Sequence, residues 1–410
     1  MLKNFTTGRS LLGSVCERFI APSWVQNMLL KLPFDQLQYG SLTLTFDDQR
    51  SRRYEGNQPG PHAELIVVRP LRAYWLLKTQ GDLGLAQAYF ESAVETTSLY
   101  RLLKLAHLNA EQFDALLNNR WGHWRHLWRH RKRHNSLANS RRNVSYHYDL
   151  GNDFYALWLD STMTYSSGIF QGDTFSLQQA QVVKNQRILN ELGIVGGEHV
   201  LEVGCGWGSF MQCALQRGAS IKGLTLSAEQ QKYALQRLKE FPRERYEVAL
   251  QDYRHENRQY DHVVSIEMFE AVGKDYWDSY FTMLKQRLKK DGKALLQIIT
   301  IAEEKAETYQ SGVDFIQAYI FPGGLLPSVT QIETLSDAYG FKIINRLDFG
   351  TDYATTCQLW KQRFNHHGDQ LQQMGYDKTF QRIWNYYLDY CTIGFESGQV
   401  SVCQFTLAHS

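Results

Sequence analysis

The sequence predicts an α/β protein: a parallel sheet with helices on both faces, preceded by a small α+β domain. Three observations carry this. From Val182 onward, apolar strand-like runs alternate with helical patterns at the spacing of βαβ units. A glycine-rich turn in VLEVGCGWGSF (200–210) joins one such strand directly to a helix. The first 118 residues instead show two short strand patterns followed by helices.

Taken in order, GSLTLTF (40–46) and HAELIVVR (62–69) read as strands, with the polar, Gly/Pro-containing segment between them as a turn. A helical pattern runs from Leu71 to His107 and continues over 109–118. Residues 119–142 follow as a basic, Trp-rich linker helix, and 143–410 form the second domain. There the spacing predicts a helix over 178–192, a strand over 199–204 and a helix over 209–217. A strand at 220–227 and a helix at 228–240 come next, then strands at 246–250 and 261–268. A helix over 275–290 precedes a strand at 293–301, and segments 341–350 and 401–408 are candidates to close the sheet.

Charge is divided unevenly. Residues 1–142 hold 20 Lys+Arg against 11 Asp+Glu, while the remainder holds 24 against 31. The excess concentrates in RWGHWRHLWRHRKRH (120–134), where Trp121, Trp124 and Trp128 share one helical face. Such a helix suits an anionic lipid surface or a nucleic acid, and the stretch alone does not choose between them. A third reading packs the tryptophans against the protein's own body. The six cysteines show neither metal-ligand spacing nor a paired framework, which fits free thiols in a reducing cytoplasm and no metal site. No apolar run has the length of a membrane span, so any membrane contact is expected to be peripheral.

In the glycine turn, Gly204, Gly206 and Gly208 let the backbone approach a ligand closely at a helix N-terminus. The G-x-G-x-G spacing after Glu202 departs from the dinucleotide fingerprint and resembles the first motif of S-adenosylmethionine methyltransferases. Further segments resemble the cyclopropane fatty acid synthases and the related mycolic acid cyclopropane synthases. They are YHYDLGNDFYALWLD (146–160), MTYSSGIF (163–170), GLTLSAEQQ (223–231), LQDYR (250–254), MFEAVG (268–273), YIFPGGLLPSV (319–329) and WKQRF (360–364). The likeness covers roughly 140–410 and implies a Rossmann-like class I methyltransferase sheet with helical lid insertions.

That resemblance implies a reaction: a cis double bond in a phospholipid acyl chain takes up the methyl of S-adenosylmethionine, and the resulting carbocation loses a proton as a ring closes. By matching position it implies that Tyr165, Ser166, Gly204 and Gly206 hold the methionine end of the cofactor. Thr225, Leu226 and Gln230 would hold the ribose and adenine side, with Asp252 and Tyr253 near the base. It implies a homodimer at the inner face of the cytoplasmic membrane, with the basic stretch on anionic lipid rather than nucleic acid. It also implies a bicarbonate ion as proton acceptor, held by a Cys, a Glu, a His and a Tyr. Here those positions read Ser167, Glu270, Gln297 and Tyr353, and the His expected after Glu270 is Ala271. Serine and glutamine still offer hydrogen bonds to an anion, but the thiol and imidazoles are gone. These departures leave three outcomes open: ring closure, a methyl- or methylene-branched chain after hydride migration, or a lipid-binding protein without activity. On this reading Glu270→Gln abolishes the product.

Overall fold

In the computed structural model the described residues are 23–30, 32–117, 150–172 and 176–410. The basic stretch 120–134, Tyr146 and Tyr148 lie outside them. The described residues fall into two compact units.

The first unit joins the residues up to 117 with Gly312–Phe315 and Gly368–Ile393. It contains α1 (Ser23–Leu30), β1 (Tyr39–Phe46), β2 (Ser51–Glu55), β3 (Gln58–Val67), α2 (Pro70–Phe90), β4 (Val94–Glu95), α3 (Leu99–Leu108) and α4 (Ala110–Leu117). The sheet order is β2-β1-β3-β4, with β1 and β3 parallel. Leu42, Leu44 and Phe46 alternate into the core with Leu65 and Val67. The long helix expected over 71–107 is interrupted. Ser92 adopts φ 55°, a two-residue strand follows, and the Ser98 side chain caps α3 by accepting from the Arg101 N–H. The Thr/Ser-rich run 96–98 competes locally for backbone hydrogen bonds, and this outweighs the apolar periodicity. Residues 368–393, expected within the second domain, join this unit instead. Arg382 there lies over the Tyr89 ring, 3.9 Å from its centroid, and pairs with Glu95 at 2.8 Å.

The second unit holds α5 (Asn152–Trp158), α6 (Leu177–Leu192), β5 (His199–Val203), α7 (Ser209–Gln216), β6 (Ser220–Thr225), α8 (Ala228–Arg237) and β7 (Tyr246–Leu250). After β8 (Tyr260–Ile266) come α9 (Trp277–Arg287), β9 (Leu288–Ile301), α10 (Glu303–Ser311), α11 (Val329–Ala338), β10 (Phe341–Asp348), α12 (Gly350–His366) and β11 (Val400–His409). Seven strands run in the order β10-β11-β9-β8-β5-β6-β7. The five strands from β9 to β7 are mutually parallel, and β5, β6 and β8 are buried along most of their length, as strands covered on both faces are. The two closing strands are where the structure departs from a purely parallel sheet: β11 runs antiparallel to both β9 and β10. Capping boxes at Ser176/Gln179 and Ser328/Gln331 start α6 and α11, and Gly193 ends α6 in the left-handed region. No helix among the described residues is long and apolar enough to cross a membrane.

Candidate active site

The sheet order decides where the site can be. Strands β8, β5, β6 and β7 are neighbours, so Glu267, Gly204, Leu226 and Asp252 emerge side by side from their C-terminal ends. Open α/β sheets bind ligands at that edge. All nine residues expected to hold the cofactor, Tyr165, Ser166, Gly204, Gly206, Thr225, Leu226, Gln230, Asp252 and Tyr253, line a single pocket there.

Its glycine loop is built by backbone bonds. Gly204 and Cys205 both donate to the Leu224 carbonyl, at 3.0 and 2.9 Å. Gly204 (φ 83°) has no room for a side chain, since a Cβ would meet Met268 Cγ at 2.7 Å. Gly206 (φ 51°) differs: a Cβ there meets nothing within 4 Å, because it would project into the pocket. Two acceptor oxygens on the pocket wall, Glu202 Oε2 and Asn185 Oδ1, are buried without a hydrogen-bond partner among the described residues. Burial holds the Glu202 carboxyl well above its ordinary value, opposed by the charge of Lys184. An open cradle edged by unpaired acceptors suits a cationic ligand rich in N–H groups. The ammonium and sulfonium of S-adenosylmethionine meet that description.

On the other side of the loop, Thr225 Oγ donates to Gln230 Oε1 at 2.8 Å and orders the turn after β6. Asp252 is clasped by Arg254 at 2.8 and 2.7 Å. Burial alone would raise its carboxyl, but Arg254 brings it below the usual range. Tyr165 stands within an aromatic cluster, with ring centroids 5.6, 5.2 and 5.3 Å from those of Tyr155, Trp158 and Trp360. Such faces stabilise a passing positive charge.

The residues expected to manage the proton are arranged differently from expectation. Ser167 N donates to Glu267 Oε1 at 2.9 Å, and Gln297 Nε2 donates to the same oxygen at 2.7 Å. Tyr353 OH donates to Glu267 Oε2 at 2.5 Å. Three of the four expected residues therefore converge, but on Glu267 rather than beside Glu270. Ser167 contributes its backbone N–H, while its hydroxyl is turned to the Gly168 carbonyl at 2.9 Å. Glu270 stands apart: its Oε1 accepts from Ile299 N, and its Oε2 is buried without a partner among the described residues. The motif match favoured Glu270 because only Glu270 occupies the expected F-E position. The overlooked signal was a second carboxylate, three residues earlier, at the mouth of a parallel strand.

Glu267 is held with a non-glycine φ of 50°, by a 2.8 Å bond from its N–H to the Gln297 carbonyl and by the three side-chain contacts. Burial raises its carboxyl, opposed by Tyr353, Lys184, Ser167 N and Gln297. Lys184, also missed by sequence reasoning, is fully buried on α6. Its Nζ donates to Ser166 Oγ and Gln181 Oε1, both at 2.6 Å, and burial lowers the amine to about 8.

Glu270 carries a prediction of its own. Burial and the nearby charge of Glu267 push its carboxyl up to about 8. A raised folded-state value contributes stability that is full below the unfolded pKa and lost as pH rises through about 8. We therefore expect Glu270→Gln to match the parent in thermal unfolding near pH 5. Its advantage should grow through pH 8 toward the order of a few kcal/mol. A difference in melting temperature that stays flat with pH would contradict this placement.

Comparison with known proteins places the chain. A family model described as mycolic acid cyclopropane synthetase matches residues 135–405. The chain belongs to this family. Tuberculostearic acid methyltransferase UfaA1 of Mycobacterium tuberculosis is 37% identical over 357 residues, 84% of this chain and 82% of that protein. Cyclopropane-fatty-acyl-phospholipid synthase of Escherichia coli K12 is 38% identical over 260 residues, 63% of this chain and 65% of that protein. The solved structure of mycolic acid cyclopropane synthase CmaA1, complexed with SAH and CTAB, is 33% identical with a TM-score of 0.61. The match covers 65% of this chain and 97% of that one. This family member has the class I methyltransferase fold and is an S-adenosylmethionine-dependent methyltransferase.

Proposed function

We propose that this family member transfers a methyl group to a cis double bond in a phospholipid acyl chain and leaves a methyl branch on a still unsaturated chain. The observation that carries this reading is the wall of the cofactor pocket, which runs from the glycine loop to a carboxylate already engaged by three donors. S-adenosylmethionine, when bound, supplies an electrophilic methyl on a sulfonium. Glu202 and Asn185 would meet its charged end, and the aromatic cluster around Tyr165 would favour positive charge nearby. When the alkene takes up the methyl, the chain becomes a cation that must shed a proton.

The fate of that cation depends on how fast a base acts. The Glu267 carboxylate already accepts three hydrogen bonds, so only one of its acceptor sites is left to take a proton. Ala271 and Gln297 stand where histidines are expected, so no imidazole assists from those positions. The cation then has time for a hydride shift along the chain, and the proton is lost from a chain carbon rather than from the new methyl. The relative aligned over the larger share of this chain carries the name methyltransferase, which supports the branched reading.

Mass spectrometry of phospholipids from cells expressing the protein and fed methionine with a trideuterated methyl group tests this. Retention of all three deuterium atoms in a branched, unsaturated acyl chain is the expected result. Retention of two, with a cyclopropane fragmentation pattern, would replace it with ring closure. An unlabelled lipid pool would sink the methyl-transfer reading altogether.

A further inference from the structure

We infer that Glu267 takes the place of a bound bicarbonate ion, so that this enzyme carries its proton acceptor in its own chain. The inference rests on the methyl-transfer reading above. Three of the positions that the family resemblance assigns to an anion carry hydrogen-bond donors, and those donors are already satisfied: Ser167 N, Gln297 Nε2 and Tyr353 OH all end on the Glu267 carboxylate. A free anion would have to compete for the same three donors and share a buried space with a second negative charge, which like-charge repulsion opposes.

The surroundings are built around this carboxylate. Gln297 is itself oriented, its Oε1 accepting from Gln404 Nε2 at 2.9 Å, and Arg187 in turn donates to Gln404 Oε1 at 2.5 Å. Tyr353 is stacked on Phe395 with centroids 4.2 Å apart, which fixes the phenol aimed at Glu267. Lys184 lies close enough to favour the charged form of Glu267. The left-handed backbone at Glu267 costs about 1 kcal/mol or more for a side chain with a Cβ. A strained residue held by three side-chain contacts is a device rather than filler.

The chemistry balances without an added ion. A carboxylate has about four acceptor sites, and three are taken here, which leaves one on Oε2. A C–H bond on the chain carbon beside the cationic centre breaks, its electron pair forms the double bond of the product, and the proton passes to the free site of Glu267. Tyr353, bonded to the same oxygen, stabilises the carboxylate before transfer and lets the proton redistribute afterwards.

The test is chemical complementation. Glu267→Gly deletes the carboxylate, leaves a space of its size among three donors, and suits the backbone, since glycine accepts φ 50° without strain. Labelled acyl product is measured in buffer stripped of carbon dioxide and again with millimolar bicarbonate. SAH binding is followed in parallel as a check on folding. The parent enzyme should make product at the same rate in both buffers. Glu267→Gly should lose at least about a hundredfold without bicarbonate, the span expected on removing a positioned base. Bicarbonate should restore it at least tenfold, while Glu267→Gln, whose amide still fills the space, should stay inactive in both. A parent enzyme that needs bicarbonate would overturn the inference. So would a Glu267→Gly enzyme that binds SAH yet is not rescued, or one that is fully active without the ion. Should the parent make no labelled lipid at all, the methyl-transfer reading fails rather than this one.

Discussion

Gly206→Leu should abolish cofactor binding while leaving the protein folded. Gly206 is the one position in the loop where an added Cβ meets nothing within 4 Å, so a leucine there extends into the space the ligand needs. The backbone cost of a non-glycine residue at φ 51° is about 1–2 kcal/mol. In a chain of this size that lowers the melting temperature by only a few degrees. Affinity for S-adenosylmethionine should fall by at least about a hundredfold, or roughly 2.7 kcal/mol. Isothermal titration with SAH and a thermal melt, run on the same sample, separate the two effects. A variant that binds SAH normally would mean the cofactor lies elsewhere than over this loop. Gly204→Leu is the instructive contrast: its Cβ would strike Met268 at 2.7 Å, so it should lose folding stability as well as binding.

Lys184→Met should move the acid limb of the pH–rate profile upward by about one unit, a shift worth about 1.4 kcal/mol. Lys184 acts through Glu267, whose charged form it favours. Burial raises the Glu267 carboxyl, and Lys184 is one of the influences that bring it back down. Without that cation the carboxyl holds its proton to higher pH, and a protonated acid cannot accept another. Turnover on the acid side of the limb then falls by up to about tenfold and recovers as pH rises. Methionine keeps the bulk of the side chain, so a purely structural role would lower the rate equally at every pH. A profile that superimposes on the parent's after scaling would exclude the electrostatic role. The lost bonds to Ser166 and Gln181 also predict a weaker KM for the cofactor, since Ser166 lines its pocket.

How much of this was legible beforehand differs from element to element. The parallel core was readable because its strands alternate with helices at the spacing of βαβ units, and β5, β6 and β8 are buried along most of their length. The orientation of β11 was not, because an apolar run does not say which way its strand points. Nor was the break between α2 and α3, where Ser98 caps a new helix against the prevailing periodicity. The capture of residues 368–393 by the first unit depends on contacts such as Arg382 on Tyr89, nearly three hundred residues apart in the chain.

The cofactor pocket and the acceptor site show the same division in sharper form. Apart from Tyr165 and Ser166, the nine pocket residues lie at or after strand ends, and a strand end is a local property that spacing and glycine placement reveal, so the sequence by itself determined which edge of the sheet carries the pocket. Which carboxylate stands among Ser167, Gln297 and Tyr353 is not local. Those three residues come from a loop before α6, from β9 and from α12, and only the folded sheet brings them to one point. Glu267 and Glu270 lie three residues apart and look interchangeable in the sequence. The left-handed backbone at Glu267 turns one of them into the cluster, and the short helical turn after it carries the other to Ile299. Tertiary structure alone decided that choice, because hydrogen bonding selects by position in space and not by order along the chain.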